Sequence, residues 1–369
     1  MNMILSNHYV PFLKWRQSEY QALFKLKKEI KDLITPYIIM PPIEYDFEEK
    51  RLKKTIQEHI EPMPKRLKDK WGSRLALLDF HDSIEQGIMD NGENVIKYVY
   101  TKSLAMGCKL IPVISFEKSK WYLTEIKSII STQNCGLALR LFLEDLDKPN
   151  INGEIDQVLE MFDLNINNID LIIDLKTPDK FEPYALFSNL IFMKVNKINN
   201  IKSYRSFVIA AHSLNLREIK QPGGLFTRHE WMLYPYLIKK FKDKLPTFGD
   251  YTTDDIEFLP PMDMRKVNPS AKLIYTLPQH WHVLKAKAFR GNEIQMVSLC
   301  ANVIGLPGYK GVPFSDGDKR IHDTANGKAN DTANGKANFG NLGTWKQVAI
   351  NHHMTKVVHQ LSSYHASII

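Results

Sequence analysis

Apolar and polar positions along this chain repeat on two periods, and the switches between them predict its elements. From Tyr9 to Tyr45 a short apolar run, YVPFLKW, leads into RQSEYQALFKLKKEIKDL and then a second apolar run, ITPYIIMPPIEY. In the middle segment Leu23, Leu26, Ile30 and Leu33 recur at helical spacing, with Lys25, Lys27, Lys28 and Lys31 on the opposite face. Ser18 with Gln21 three places on fits a capping box opening that helix. The outer runs are too short for helices and rich in Ile, Val, Tyr and Phe, so they predict buried strands. Two buried strands joined by a helix imply parallel pairing through a right-handed crossover.

This unit recurs. Asp46 and Glu49 are placed to cap a charged helix reaching about Ile60, and Pro62 and Pro64 break it before a short basic helix to Trp71. RLALLD, CKLIPVISF, CGLALRLFL, IDLIIDLK, YRSFVIAAHS and PTFGDY then predict strands three to eight, with helical segments between them. Eight strands alternating with helices over residues 1–251 predict an α/β fold, a (β/α)8 TIM-like barrel. A doubly wound open sheet is the competitor. It is disfavoured because no glycine-rich phosphate turn follows an early strand, and Gly223-Gly224 reads as a loop before a helix.

The alternation stops after Tyr251. Residues 252–369 predict a C-terminal α+β extension packed on the barrel. It holds a strand pair in SAKLIYTLPQHWHVLKAKAF and two helices, the second carrying an apolar stripe of Ile350, Met354, Val357 and Leu361. Between those helices DTANGKAN is written twice at 323–338, which predicts an exposed loop without chemistry.

Composition narrows the class. The chain has 369 residues, 44% of them apolar and 24% charged, as an ordinary globular protein does. No basic segment with a long apolar run opens it, and no apolar stretch is long enough to suggest a membrane span. Cys108, Cys135 and Cys300 are scattered and lack metal-site spacing, which predicts reduced thiols in a cytoplasmic protein. The net charge of +8 would suit a polyanion, but the lysines spread over helix exteriors, so solvated faces are favoured over nucleic acid.

In a (β/α)8 barrel, chemistry collects at the carboxyl ends of the strands. Polar residues fall there repeatedly: Lys14, Glu44, Asp79, Arg140, Asp174, His212 and Asp250. Buried charges of this kind are expected to converge on one another or on a polar ligand, with a structural salt-bridge layer as the plain account. Thr227 and Glu230 fit a capping box, and Arg228 beside them is placed to hold a phosphate or carboxylate at a helix start. His353 shares the apolar stripe of the last helix, and Tyr275 lies in the predicted strand pair. A divalent cation such as magnesium, held by Glu44, Asp79 and Asp174, is an open alternative. No HExxH spacing, GxSxG elbow or P-loop is present.

The opening YVPFLKWRQSEYQAL with ITPYIIMPPIE resembles the starts of the bacterial and phage group called beta family proteins. The resemblance continues through Arg228-His229-Glu230-Trp231, Phe248-Gly249-Asp250-Tyr251, LIYT at 273–276, and Trp345 with Asn351-His352-His353. It implies a barrel-like fold and a setting in phage–host conflict or mobile-element gene neighbourhoods, and it brings no established reaction.

The leading expectation is a barrel enzyme, a hydrolase or lyase of a small nucleotide or phosphorylated substrate. Lys14, Arg140 and Arg228 would hold the anion, and Asp79, Glu44 or Asp174 would supply acid–base work. Asp250 and His353 would complete the rim, with Glu230, His212 and Tyr275 as further binding residues. The rival is a non-catalytic sensor or adaptor that binds a ligand or a phage or defence-system protein.

Overall fold

A computed structural model describes residues 3–263, 265–328, 330–331 and 336–367. The expected barrel is there. Eight parallel strands close on one another: Tyr9–Lys14, Tyr37–Met40, Leu75–Phe80, Lys109–Ile114, Leu137–Phe142, Ile169–Asp174, Ser206–Ala210 and Thr247–Asp250. They stand round the barrel in that order, and the last pairs with the first through Tyr9 and Phe248. Their near-continuous apolar runs follow from burial on both faces: LALLDF has five of its six positions buried and IDLIID all six. Tyrosines tie the surrounding helices to the strands; Tyr100 donates to the Leu78 carbonyl and Tyr122 to that of Val113.

The chain separates into two compact units. The first comprises 1–15, 34–212 and 229–251, which carry all eight barrel strands. The second comprises 16–33, 213–228 and 252–369. Its centre is an antiparallel sheet in which Gly223–Thr227 pairs with His280–Ala288, and that strand with Ser270–Thr276. The predicted strand pair thus has a third member, formed by residues read as a loop and a helix cap. Gly223, with φ +96°, explains the pairing, because a Cβ there would lie 1.9 Å from the Val283 carbonyl oxygen.

Three helices, Gln295–Ile304, Asp316–Ala325 and Leu342–Ala366, accompany this sheet. Leu273, Tyr275, Met296, Cys300, Ile321 and Trp345 form their shared core. The duplicated segment is not one loop: Asp323–Ala325 close a helix, and Asn330–Asp331 pair with Lys336–Ala337. Within that segment, residues 329 and 332–335 lie outside the described residues.

Local predictions fail where a cap or a break was inferred from residue type alone. The lysine-rich helix is two pieces, Gln17–Phe24 and Lys28–Lys31, and Arg16 stands at its N-cap without a side-chain bond. The charged helix after Tyr45 begins late. Tyr45–Asp46 and Arg51–Leu52 form a small hairpin, and Thr55 with Glu58 makes the capping box of Ile56–Ile60. Thr227 ends a strand opposite His280, and the helix that follows begins at His229.

Candidate active site at the barrel mouth

Asp174 is the last residue of its strand, and its side chain is fully buried. Arg140, registered with Ile172 on the neighbouring strand, reaches forward to it. Its Nε and Nη2 donate to Asp174 Oδ2 at 3.0 and 2.5 Å. The Tyr251 hydroxyl donates to the same oxygen at 2.5 Å and accepts from Arg140 Nη2 at 2.7 Å. The Lys176 amide donates to Asp174 Oδ1 at 2.9 Å. Arg140 Nη1 donates to the Tyr37 hydroxyl at 3.3 Å, and that hydroxyl donates to Asp79 Oδ2 at 2.7 Å. Lys118 Nζ, from the loop after the fourth strand, stands 3.0 Å from Asp79 Oδ1 and 2.6 Å from Glu85 Oε1.

One bonded chain therefore runs from Asp174 through Tyr251, Arg140, Tyr37, Asp79 and Lys118 to Glu85. Aromatic faces enclose its centre. The Arg140 guanidinium lies 4.8 Å from the Phe142 ring centroid and 5.4 Å from that of Tyr37. Phe12 stacks on Tyr37 at 4.3 Å and meets Tyr251 at 4.7 Å. His212 tilts against Tyr251 at 5.9 Å, so every barrel strand or the loop following it contributes a residue.

Burial and charge set the protonation states. Burial drives the Tyr37 and Tyr251 hydroxyls well above the ordinary phenol range, so both remain donors. For Arg140 burial works against the charge, but Tyr251, Tyr37, Asp174 and Asp79 outweigh it and raise its pKa. Burial likewise opposes the Lys118 charge, and Asp79, Glu85 and Asp82 more than offset it. Glu85 goes the other way: burial lifts its carboxyl above the usual range, although Lys118 pulls it back.

Of the residues singled out in the sequence, Asp79, Arg140 and Asp174 meet in this chain, with His212 against its edge. Lys14 is buried at the end of the first strand. Asp250 does not join. Phe248 packs on Trp231 and Tyr234 of the helix His229–Lys240. Alternate strand residues share a face, so Asp250 points to that side and Tyr251 to the other. The Tyr9 hydroxyl donates to the Asp250 carboxylate there. Glu44 is corrected as well: it is exposed and binds Lys53 at 2.9 Å, on the segment before the small hairpin. Glu44, Asp79 and Asp174 thus do not converge as ligands of a divalent cation, and among the described residues no group of three or more His, Cys, Asp or Glu side chains is arranged to hold a metal. Glu230 is buried in the first turn of His229–Lys240.

Arg228, Tyr275 and His353 belong to the second unit. Arg228 Nη1 donates to Gln360 Oε1 at 2.6 Å and to the Leu277 carbonyl at 3.2 Å. Tyr275 donates to Asp318 Oδ1 at 2.8 Å, and its ring stacks on His352 at 3.9 Å. His353 lies 3.0 Å from Thr276 Oγ1 and stacks on Trp281. In the last helix not only the apolar stripe is buried but also Asn351, His352, Thr355 and Lys356 between its members. The Lys356 amine is pushed down to about 8 by burial, helped by Lys310 and Arg228.

Sequence reasoning missed Tyr37, Tyr251, Glu85 and Lys118. The two tyrosines look like ordinary strand aromatics, and no local pattern marks the other two. Their role depends on neighbours far along the chain.

Closed parallel strands with helices between them and a polar network at their carboxyl ends define a (β/α)8 barrel protein. The chain belongs to the Beta protein family, whose profile matches residues 9–359. No curated protein matches it. Among solved structures it is similar to the catalytic domain of a hyperthermophilic chitinase from Pyrococcus furiosus, at 11% identity and a TM-score of 0.37, covering 68% of this chain and 86% of that one. It is also similar to the Paramecium bursaria Chlorella virus arginine decarboxylase bound to agmatine, at 13% identity and a TM-score of 0.30, covering 66% of this chain and 63% of that one. Those likenesses are faint; the barrel is established by the strand pairing itself. No helix among the described residues is long and apolar enough to cross a membrane.

Proposed function

We propose that this chain is an enzyme that cleaves a small anionic substrate, of the nucleotide or phosphorylated-metabolite class, at the barrel mouth. One observation carries the reading: the network is graded in exposure. The Asp174 side chain is 0% exposed and that of Asp79 7%, whereas that of Arg140 is 14% exposed. The carboxylates that neutralise the guanidinium are the more buried members, and the cation is the one a ligand reaches first. A planar guanidinium held among aromatic faces suits a phosphate or carboxylate. Lys14, buried at the end of the first strand, is the second cation assigned to the anion. Asp79 and Glu85 share Lys118, and Glu85, its carboxyl lifted by burial, is the better placed of the two to hold and pass a proton. The setting in phage–host conflict rests on the family resemblance alone.

A specific observation favours the rival, a sensor that binds without turnover. Asp174 Oδ2 already accepts from two Arg140 nitrogens and from Tyr251, so its hydrogen-bonding capacity is taken up within the protein. The two readings separate in one experiment. The purified chain is incubated with nucleotide and phosphorylated-metabolite mixtures, with and without magnesium, and binding and products are followed by phosphorus NMR. Turnover abolished by Asp79→Asn supports the enzyme. Binding without products, tolerant of Asp79→Asn but lost in Arg140→Gln, supports the sensor. No binding of any anion sinks both.

A further inference from the structure

We propose that the second unit carries a binding site of its own, for a small carboxylate with an apolar body about the size of a benzene ring. The site is a cavity of about 210 Å³ beside the strand Ser270–Thr276 and the helix Leu342–Ala366. A buried apolar cavity of about 150 Å³ accepts benzene, so this one has room for a ring and one substituent. Ile274, Trp345 and Leu216 supply apolar wall.

The polar wall specifies the substituent. Lys346 also lines the cavity, but its charge is engaged: its Nζ lies 2.6 Å from Glu19 and 2.8 Å from Asp254. Lys272 differs. Among the described residues it has no hydrogen-bond or ion-pair partner, and burial pulls its amine below the ordinary lysine range. Asp255 and Asp254 act on it only as charges at a distance; Asp254 is held by Lys346 and Asp255 faces Arg217. Thr253 is 2% exposed, and among the described residues its hydroxyl has no hydrogen-bond partner. One half-buried cation without a protein partner and one buried hydroxyl without a hydrogen-bond partner among the described residues, both on the same cavity, call for a group with two acceptor oxygens and a negative charge. A carboxylate meets both needs. An ammonium ligand would face two lysines.

The test is a calorimetric titration of the full chain with benzoate and phenylacetate, and with their neutral counterparts benzamide and phenylacetamide. Benzoate is expected to bind at least about tenfold more tightly than benzamide, the factor a charge-assisted bond supplies. Lys272→Met should bind the two alike. Leu216→Trp, which fills the cavity from a half-buried wall position, should bind neither while melting as the wild type does. Should Lys272→Met fail to fold, the near-isosteric Thr253→Val gives the same reading through a smaller loss of benzoate affinity. Arg140→Gln should leave benzoate binding unchanged, which keeps this site separate from the barrel mouth. Equal affinity for benzoate and benzamide in the wild type overturns the proposal, as does benzoate binding that survives Leu216→Trp or disappears in Arg140→Gln.

Discussion

The strand Ile169–Asp174 carries an aspartate near each end, and each takes an arginine, yet the two pairs are built differently. At the amino end Arg205 meets Asp170 as a fork, Nε to Oδ1 at 3.0 Å and Nη2 to Oδ2 at 2.7 Å. Ser206 adds a bond to Oδ1, and Arg205 Nη1 is spent on the Cys135 carbonyl. That pair is closed. At the carboxyl end Arg140 places two nitrogens on one oxygen of Asp174, and its remaining bonds go to phenols that lead on to Asp79. Charges joined pairwise hold a barrel end together. Charges joined through phenols into a line of seven side chains form no closed pair, and each carboxylate or cation in it is bonded onward to the next. In barrels of this class stability residues gather at the amino face and reactive ones at the carboxyl face, and this strand carries an aspartate–arginine contact near each.

The comparison breaks first where a charge is left alone. Asp174→Ala removes the nearer carboxylate of Arg140, leaving only Asp79 at 3.8 Å, and should cost about 3 kcal/mol in urea unfolding. Asp170→Ala should cost a similar amount. The joint replacement Asp170→Leu with Arg205→Met should return to within about 1 kcal/mol of wild type, because an apolar pair can replace a closed ion pair. If Asp174→Leu with Arg140→Met returns as far, the carboxyl-end network is no more than a second closed pair.

A smaller effect sharpens the contrast. Tyr251→Phe removes a hydroxyl that both donates to Asp174 and accepts from Arg140, and should cost about 2–3 kcal/mol. Ser206→Ala removes a single bond to Asp170 and should cost about 1 kcal/mol. Equal losses would mean that the phenol bridge adds nothing beyond one hydrogen bond.

The smallest effect is a pH dependence at the carboxyl end. Glu85 is raised in the folded chain, so between the ordinary carboxylate range and its folded value the native state binds more protons than the unfolded one. Its contribution to stability is therefore full at the acid side of that window and declines as pH rises through it. Urea midpoints of wild type and Glu85→Gln, compared across the window, should diverge with that sign; a difference independent of pH would remove Glu85 from the network's proton balance.

How much was legible depends on which relation a residue's role rests on. Asp79, Arg140 and Asp174 could be found because each sits at or near the carboxyl end of an apolar run. Asp250 sits in the same kind of place but one step off in parity, which turned it to the Tyr9 side of its strand. Lys118 could not be found, since nothing in FEKSKW distinguishes it from its neighbour Lys120. Only the fold brings it within 3.0 Å of Asp79, and Tyr37 to Arg140 across 103 residues of chain. In the second unit the apolar stripe of the last helix was plain, whereas the burial of Asn351, His352 and Lys356 between its members was not.

By itself the sequence determined the barrel. Strands buried on both faces must be apolar nearly throughout and the helices between them amphipathic, and those periods are written locally. Only the tertiary structure decided which charges meet, how they are bridged and where an uncompensated donor faces a cavity. Ion pairs and hydrogen bonds act over a few ångströms between residues tens to hundreds of positions apart, and no local period records that distance.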